Sequence, residues 1–573
     1  MCHVAKRLES GFMLKASEML RQGKTDELWQ MCCGYLKLDI REFMDIQERL
    51  LLEQLQLLNK SPLGKKIMHG ARPRSVTEFR EQIPLTTYAD YCPELERKEE
   101  DILPVKPAFW AHSSGWSGDY SFKWVPVTKD YARNLSIALY GIGMLSCCDK
   151  WGDTSHIPDK IKILYSVAPR PYISGTFADL LRMQTPITYM PTIEESENLT
   201  FEERIRLGFE QSVSKGLDYF FGLSLVLASV GDKFLQSSDK VNLRPYLGKP
   251  KALWRLAKGK IRSRMAGRSL LPRDIWALRG IIGSGVDSSI YKNKIKELWG
   301  RYPLDLYSCT EGGIIATQAW DYSGMTFIPN LNFLEFLPED EQLKLQMDPS
   351  YRPMTSLLNE VEAGKNYEVI ITNFHGGSLT RYRIGDMVKI QALSNESLNI
   401  NLPQMNFERR VDDFIDFYVV RLTEKSIWQA IESVGFAYED WIAYKEPGEQ
   451  IVNILLELKN EYQVDKEHIA SSIYQEITGA KNNKPIEVTG ENSLMDMTDF
   501  GIRVNLLPQG TFNNYIARKQ SEGADLAHLK PPHVNPPNEV LTELLSETEE
   551  TIVVMKTGIK RAEKTNANEV PVM

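Results

Sequence analysis

Between residues 161 and 373, short runs rich in β-branched and aromatic residues alternate with longer runs of helical periodicity, and this alternation constrains the fold most. "IKILYSVA" and "ALRGIIGSG" read as buried strands, "SIYKNKIKELWGRY" as a helix, and "PLDLYSCTEGG" as a strand running into a loop. "NLNFLEFLP" and "YEVIITN" read as further strands. Such alternation favours α/β layers. "YFFGLSLVLASVG", from Tyr219 to Gly231, is too short to span a bilayer and reads as a buried helix or strand. Upstream, residues 10–60 carry apolar positions at helical spacing, and Ser75 or Thr77 caps a helix that Pro84 stops.

After "PQMNFERRVDDFIDF" the pattern changes to helix, strand–turn–strand, helix and strand, a smaller α+β unit. The expected division is a large domain over 1–408, a small domain over 409–545 and a flexible, polar tail over 546–573. The 573-residue chain can bury a sizeable core without covalent staples. Its seven cysteines form neither a disulfide framework nor a zinc pattern and read as reduced thiols, so a cytoplasmic location is expected. No secretory signal and no membrane span is read.

A formal net charge of −8 argues against nucleic acid as the main partner. One stretch runs against that balance: "KPKALWRLAKGKIRSRMAGRSLLPR", Lys249 to Arg273. It reads as a solvated helix face with Leu253, Trp254 and Leu256 beneath it, the other reading being a patch for RNA or anionic lipid.

Three loop segments carry the chemistry. "HSSGWSGDYSFK", from His112, gathers Ser113, Ser114, Gly115 and Ser117 ahead of Lys123. It fits neither common glycine-rich phosphate signature and by itself reads as a turn. "LYSCTEGG" follows a strand and sets Glu311 beside Ser308 and Thr310, where one carboxylate could hold Mg²⁺ near phosphate oxygens or simply face water. "LTRYRIGDMVKI" turns at Gly385 and places Asp386 at a strand start. That carboxylate could accept both hydroxyls of a ribose, or the segment could be a hairpin turn.

Together, in this order and followed by a small domain, the three resemble the adenylate-forming superfamily. Within it they resemble the plant auxin-responsive acyl acid amido synthetases (the Gretchen Hagen family) and their bacterial relatives. The first motif resembles SSGTSxGxxK, the second YxSSE (here Tyr307 to Glu311), and the third matches YRxGD in full from Tyr382 to Asp386. Trp116 stands where the family has threonine, one extra residue precedes Lys123, and Thr310 replaces a serine. "GTFNNYIARKQSEGADLAHLKPP" resembles the family's closing segment and carries Lys530.

The resemblance implies ATP and Mg²⁺ as cofactors, and a small carboxylic acid and an amine or amino acid as substrates. The product would be an amide made through an acyl-adenylate. It implies that Ser113, Ser114, Gly115, Ser117 and Lys123 cradle phosphate, and that Tyr307, Thr310, Tyr382, Asp386 and Arg410 belong to the nucleotide site. Glu311 would hold the metal, Lys530 would bring catalytic charge, and Arg410 would lie at a hinge. Transfer to a thiol, or a nucleotide-binding protein that has lost catalysis, are the competing readings. An acyl pocket is expected between residues 160 and 230, with Tyr165, Arg170, Phe220 and Phe221 as wall candidates. His112 and His375 are expected to be structural, and Cys309 a small filler.

Overall fold

The computed structural model describes residues 14–113, 122–237, 248–284, 288–348, 350–411, 414–416, 421–446, 451–460, 466–477, 500–521 and 533–545. Ser114, Gly115, Trp116, Ser117, Lys530 and the tail 546–573 lie outside them. The described residues fall into two compact units, the first ending at Val411 and the second holding those from 414 onward.

The first unit is built on one eleven-stranded sheet. Strands β3 (Ile161–Ser166), β4 (Ile187–Met190), β5 (Tyr219–Leu223), β6 (Gly280–Ser284) and β7 (Leu304–Cys309) run parallel in the order β4-β3-β5-β6-β7. From β7 the sheet turns antiparallel through β8 (Gly313–Thr317), β9 (Met325–Phe327), β13 (Gln404–Arg410), β12 (Tyr382–Ala392), β11 (Asn366–Asn373) and β10 (Asn332–Pro338). A separate antiparallel hairpin pairs β1 (Phe109–His112) with β2 (Trp124–Val127).

Local signals place these elements as expected. Helix α1 (Ile40–Leu58) starts at Asp39, whose carboxylate accepts the Glu42 N–H, and helix α2 (Val76–Gln82) starts at Ser75 and ends just before Pro84. "YFFGLSLVLASVG" is both alternatives in succession: β5, then a helix over Ser224–Ser237. Helices α3 (Lys129–Leu145) and α4 (Ile173–Gln184) contribute Leu135, Leu139, Phe177 and Leu180 to the core that also holds Tyr219. Phe220, one residue on, joins a second core with Trp276, Trp299 and Leu256, the last on α5 (Pro250–Met265). Alternation along β5 thus sends neighbouring aromatic residues into different cores.

In the second unit a short hairpin, β14 (Phe414–Asp416) and β15 (Arg421–Thr423), leads into α6 (Glu424–Val434). Thr423 caps that helix and Gly435 closes it in the left-handed conformation, at φ 81°. Strands β16 (Tyr438–Tyr444) and β17 (Ile451–Leu458) pair antiparallel, and β18 (Gly501–Leu507) adds parallel to β17 after α7 (Lys466–Ile477).

His533 is built into this unit. Its Nδ1 lies 2.6 Å from Glu424 Oε1 and its Nε2 2.9 Å from Asp440 Oδ1, with the ring stacked on Trp441 at 4.6 Å. Burial alone would lower its pKa, but the two carboxylates outweigh it and raise it from 6.5 to about 9. The folded imidazolium therefore adds stability in full below pH 6.5, and loses it as pH rises through about 9. Thermal melts followed across that window should show the second unit weakening toward the alkaline end. His533→Gln should flatten the dependence, and an equally steep slope in that variant would exclude His533 as its source.

Candidate active site

Glu311 sits where the sheet changes direction, in the turn joining β7 to the antiparallel β8. Ligand sites gather at the carboxyl ends of parallel strands, at such switch points. The backbone of this turn is held from below. Asn373 Nδ2 donates to the Glu311 carbonyl at 2.9 Å. Asn332 Nδ2 and the Tyr131 hydroxyl both donate to the Gly312 carbonyl at 2.7 Å. Gly313, at φ 60°, completes the turn, and a Cβ there would lie 2.9 Å from the Tyr131 oxygen. The backbone being fixed, the half-buried Glu311 side chain is presented at the turn, where Oε1 accepts from the Tyr382 hydroxyl at 3.3 Å.

Asp386 arrives from β12. The β11–β12 register slips between Glu368 and Ile370, a bulge opposite Ile384 to Asp386, and Gly385 takes φ 82° within it. A bulge re-aims the side chains that follow. Asp386 Oδ2 accepts from the Tyr307 hydroxyl at 2.9 Å, and Oδ1 lies 3.7 Å from Arg410 Nε, its neighbour across the β12–β13 ladder. Burial raises the Asp386 pKa and Glu311 adds to that, while Arg410, Tyr307 and Lys123 pull it down. Burial, with Asp386 beside it, pushes the Tyr307 phenol well up, and burial with Glu311 does the same to Tyr382. Both phenols remain donors.

β12 is anchored on either side of Tyr382. Arg381, in the left-handed region at φ 46°, gives Nε to Glu335 Oε2 at 3.1 Å and Nη2 to Glu335 Oε1 at 2.8 Å. Its remaining hydrogens go to the carbonyls of Arg80 and Ile83 and to the Thr355 hydroxyl. Arg383 makes a second forked pair with Glu368, at 3.0 and 2.7 Å. Forked pairs fix direction as well as charge.

The described ends of the first motif, Ser113 and Lys123, adjoin strands β1 and β2. Ser113 N–H donates to the Lys123 carbonyl at 3.1 Å, and Lys123 N–H returns to Ser113 Oγ at 3.2 Å, continuing the β1–β2 pairing by one step. Lys123 is near enough for its charge to act on Asp386. His112 is packed among Phe122, Tyr172 and Trp124 at 4.4 to 4.8 Å, its Nδ1 donates to the Ser113 carbonyl, and burial lowers its pKa. His375 Nε2 bonds the Asn330 carbonyl at 2.7 Å, and burial lowers its pKa as well. Both rings are held by packing and backbone bonds, in keeping with a structural role. The Cys309 thiol accepts the Gly312 N–H at 3.1 Å and its pKa is raised well up by burial, then by Glu311 and Asp386. It is held as a neutral thiol, unsuited to nucleophilic work.

The structure thus gathers Tyr307, Glu311, Tyr382, Asp386 and Arg410 at the seam, with Lys123 within electrostatic reach. Thr310 is half-buried in the same turn. Of the wall candidates, Tyr165 is buried against Tyr189, Phe220 belongs to the second core, and Arg170 is paired with Asp179 and Glu197. Phe221 lines an apolar cavity of about 40 Å³ along α3. Sequence reasoning passed over Tyr131, Asn332, Asn373, Glu335 and Arg381. The available signal was a polar side chain inside an apolar run, as in "NLNFLEFLP" and "YEVIITN".

This sheet, hairpin and second unit define an adenylate-forming fold. The chain superposes on the solved structure of an acyl acid amido synthetase in complex with 2,4-DB at TM-score 0.61, with 14% identity over 91% of this chain and 96% of that one. An open conformation of 2-hydroxyisobutyryl-CoA ligase gives TM-score 0.50 and 13% identity, over 82% and 89% of the two chains. The model of the GH3 family N-terminal domain matches residues 34–156 and that of the GH3 family central domain residues 325–410. Among curated relatives, a jasmonoyl–L-amino acid synthetase of Oryza sativa is 26% identical over 45% of each chain. An indole-3-acetic acid-amido synthetase of Arabidopsis thaliana is 24% identical over 36% of this chain and 34% of its own. A 4-substituted benzoates–glutamate ligase of Arabidopsis thaliana is 25% identical over 40% and 39%. In each case the match spans less than half of the relative's length.

Proposed function

We propose that this protein joins a small carboxylic acid to an amine, an amino acid, at the expense of ATP. One observation carries the reading: the hydroxyls of Tyr307 and Tyr382 orient Asp386 and Glu311 at the seam of the sheet. In the first step a carboxylate oxygen of the acid attacks the α-phosphorus. A new O–P bond forms, the bond to pyrophosphate breaks, and an acyl-adenylate results. In the second step the amine nitrogen attacks the acyl carbon, the bond to AMP oxygen breaks, and the nitrogen gives up a proton. Both steps depend on positioning and on neutralising charge.

Asp386 accepts the ribose hydroxyls, with Tyr307 holding the other side of its carboxylate. Ser113, Ser114, Gly115, Ser117 and Lys123 are assigned to the phosphates from their sequence motif. Arg410 favours the ionised form of Asp386 against the opposing effect of burial. Glu311 fits Mg²⁺: Tyr382 occupies one of its oxygens and leaves the other to a cation that needs few carboxylates, and that ion would supply charge neutralisation on phosphate oxygens. Lys530 is assigned the role of added catalytic charge from its sequence motif. The large and small domains expected over 1–408 and 409–545 are assigned to the first and second units, with Arg410, at the end of the first, at the hinge. The cytoplasm is the proposed location: six described cysteines are free thiols, and no described helix is long and apolar enough to cross a membrane.

The test is product analysis with ATP, Mg²⁺ and a panel of carboxylic acids. AMP and pyrophosphate should appear only with a suitable acid, and an amino acid should then consume the adenylate. Acceleration by coenzyme A but not by amino acids would replace the amide reading with a thioester one. Absence of both turnover and ATP binding across the panel would leave a non-catalytic protein.

A further inference from the structure

Helix α5 corrects one expectation from the sequence: Trp254 is not core but 63% exposed. The buried face of the helix is narrow, made of Ala252, Leu256, Gly259 and Ser263. Directly opposite stand Trp254, Ile261 and Met265, the last two 59% and 84% exposed. At 3.6 residues per turn these three fall within about 40° of one another. They form an exposed apolar ridge whose Trp254 end, with Lys258 and Arg262, also borders a cleft against Asp274 and Arg279.

Cations flank the ridge. Lys251, Lys258 and Arg262 fall on one side, Arg264 and Lys260 on the other, and Lys258 Nζ lies 4.8 Å from the Trp254 ring. Lys251, Lys260, Arg262 and Arg264 have no ion-pair partner among the described residues. From Lys249 to Arg273 there are nine lysines and arginines and no acid, in a chain of net charge −8. A helix placed only for solubility needs no apolar ridge. Nucleic acid would use the cations but leave Ile261 and Met265 in water. A bilayer with anionic headgroups engages both, since basic side chains reach lipid phosphates while the ridge enters the acyl boundary.

The location is compatible with catalysis. Arg255 of α5 bonds the Val213 carbonyl, and the helix borders a cleft of about 300 Å³ shared with Asp218 and Arg279. Those two residues precede β5 and β6, so the helix lies at the amino ends of the parallel strands. Glu311 lies beyond the carboxyl end of β7. We propose that α5 docks the protein reversibly on an anionic membrane surface, with Trp254, Ile261 and Met265 inserted and the flanking cations on lipid phosphates. The acidic remainder of the chain is repelled by the same surface, which fixes this face toward the membrane.

Sedimentation of the whole chain with vesicles tests this. It should bind vesicles of phosphatidylcholine mixed with phosphatidylserine and not vesicles of phosphatidylcholine alone. A Trp254→Ser, Ile261→Ser, Met265→Ser variant should lose at least tenfold in affinity, and Lys258→Glu with Arg262→Glu should do the same. All five positions are exposed, so an unchanged thermal melt checks that the variants are folded. No binding to the mixed vesicles overturns the proposal. So does full binding by the serine variant, which would reduce the patch to unspecific charge. Binding of single-stranded RNA in preference to vesicles, undiminished in the serine variant, would also overturn it.

Discussion

Asp386→Ala abolishes measurable ATP binding while the protein remains folded: this is the expected result of calorimetric titration of the purified variant. A carboxylate that accepts two ribose hydroxyls makes two charge-assisted hydrogen bonds, each worth about 1.5–3 kcal/mol. Losing both weakens binding by at least about 3 kcal/mol, or more than about a hundredfold. The fold should tolerate the change, because burial already raises the Asp386 pKa and disfavours its charged form. Tyr307→Phe removes the hydroxyl 2.9 Å from Oδ2 and leaves the charge, so its cost should be near 1 kcal/mol, about fivefold. Because Asp386 must be ionised to bind, affinity should begin to fall at a pH above the ordinary carboxylate value of 3.8 as acid is added. An Asp386→Ala protein that binds ATP as the parent does removes this residue from the site.

The largest loss of stability is expected at Arg381. Its side chain is 4% exposed and that of Glu335 1%, and the guanidinium is satisfied at every nitrogen. Arg381→Met leaves Glu335 as a buried, uncompensated charge on β10, which costs about 3–5 kcal/mol. Urea unfolding of the first unit should show a lower midpoint at an unchanged slope. Glu335→Leu added to Arg381→Met should recover much of that loss, since an apolar pair in place of a buried ion pair is often neutral or better. A single variant that loses less than about 1 kcal/mol would show that water reaches Glu335, contrary to its burial. In the double variant ATP affinity should stay reduced. Arg381 also sets the left-handed turn into Tyr382, and an apolar side chain does not restore that turn.

The strands and helices were largely legible from the chain alone because each depends on local pattern. Ser75 before an apolar helical run, Pro84 after it, and the short isoleucine-bearing runs of β6 and β11 required no distant partner. The three loop motifs were legible too, through residue type and order. Tyr307 and Asp386 are 79 positions apart, and nothing local says that one hydroxyl meets the other carboxylate. Asn332 and Asn373 each read as a blemish in an apolar strand until β10 and β11 pair and set them against the Glu311 turn.

Trp254 shows the opposite limit. Its spacing with Leu253 and Leu256 suits a core face, yet Ala252, Leu256, Gly259 and Ser263 are what α5 buries. Helical periodicity finds two faces but cannot say which one the rest of the chain covers. Gly259 decides it, because a Cβ there would come within 3.1 Å of the Asp274 carbonyl oxygen, so only the small-residue face can approach so closely. The sequence by itself determined the layered α/β class, the element order and the chemical types gathered in three loops, since these follow from periodicity, capping and residue chemistry. Only the tertiary structure decided which carboxylate meets which hydroxyl, which arginine is buried and which face of α5 meets water, because these depend on strand pairing and close packing between segments far apart in the chain.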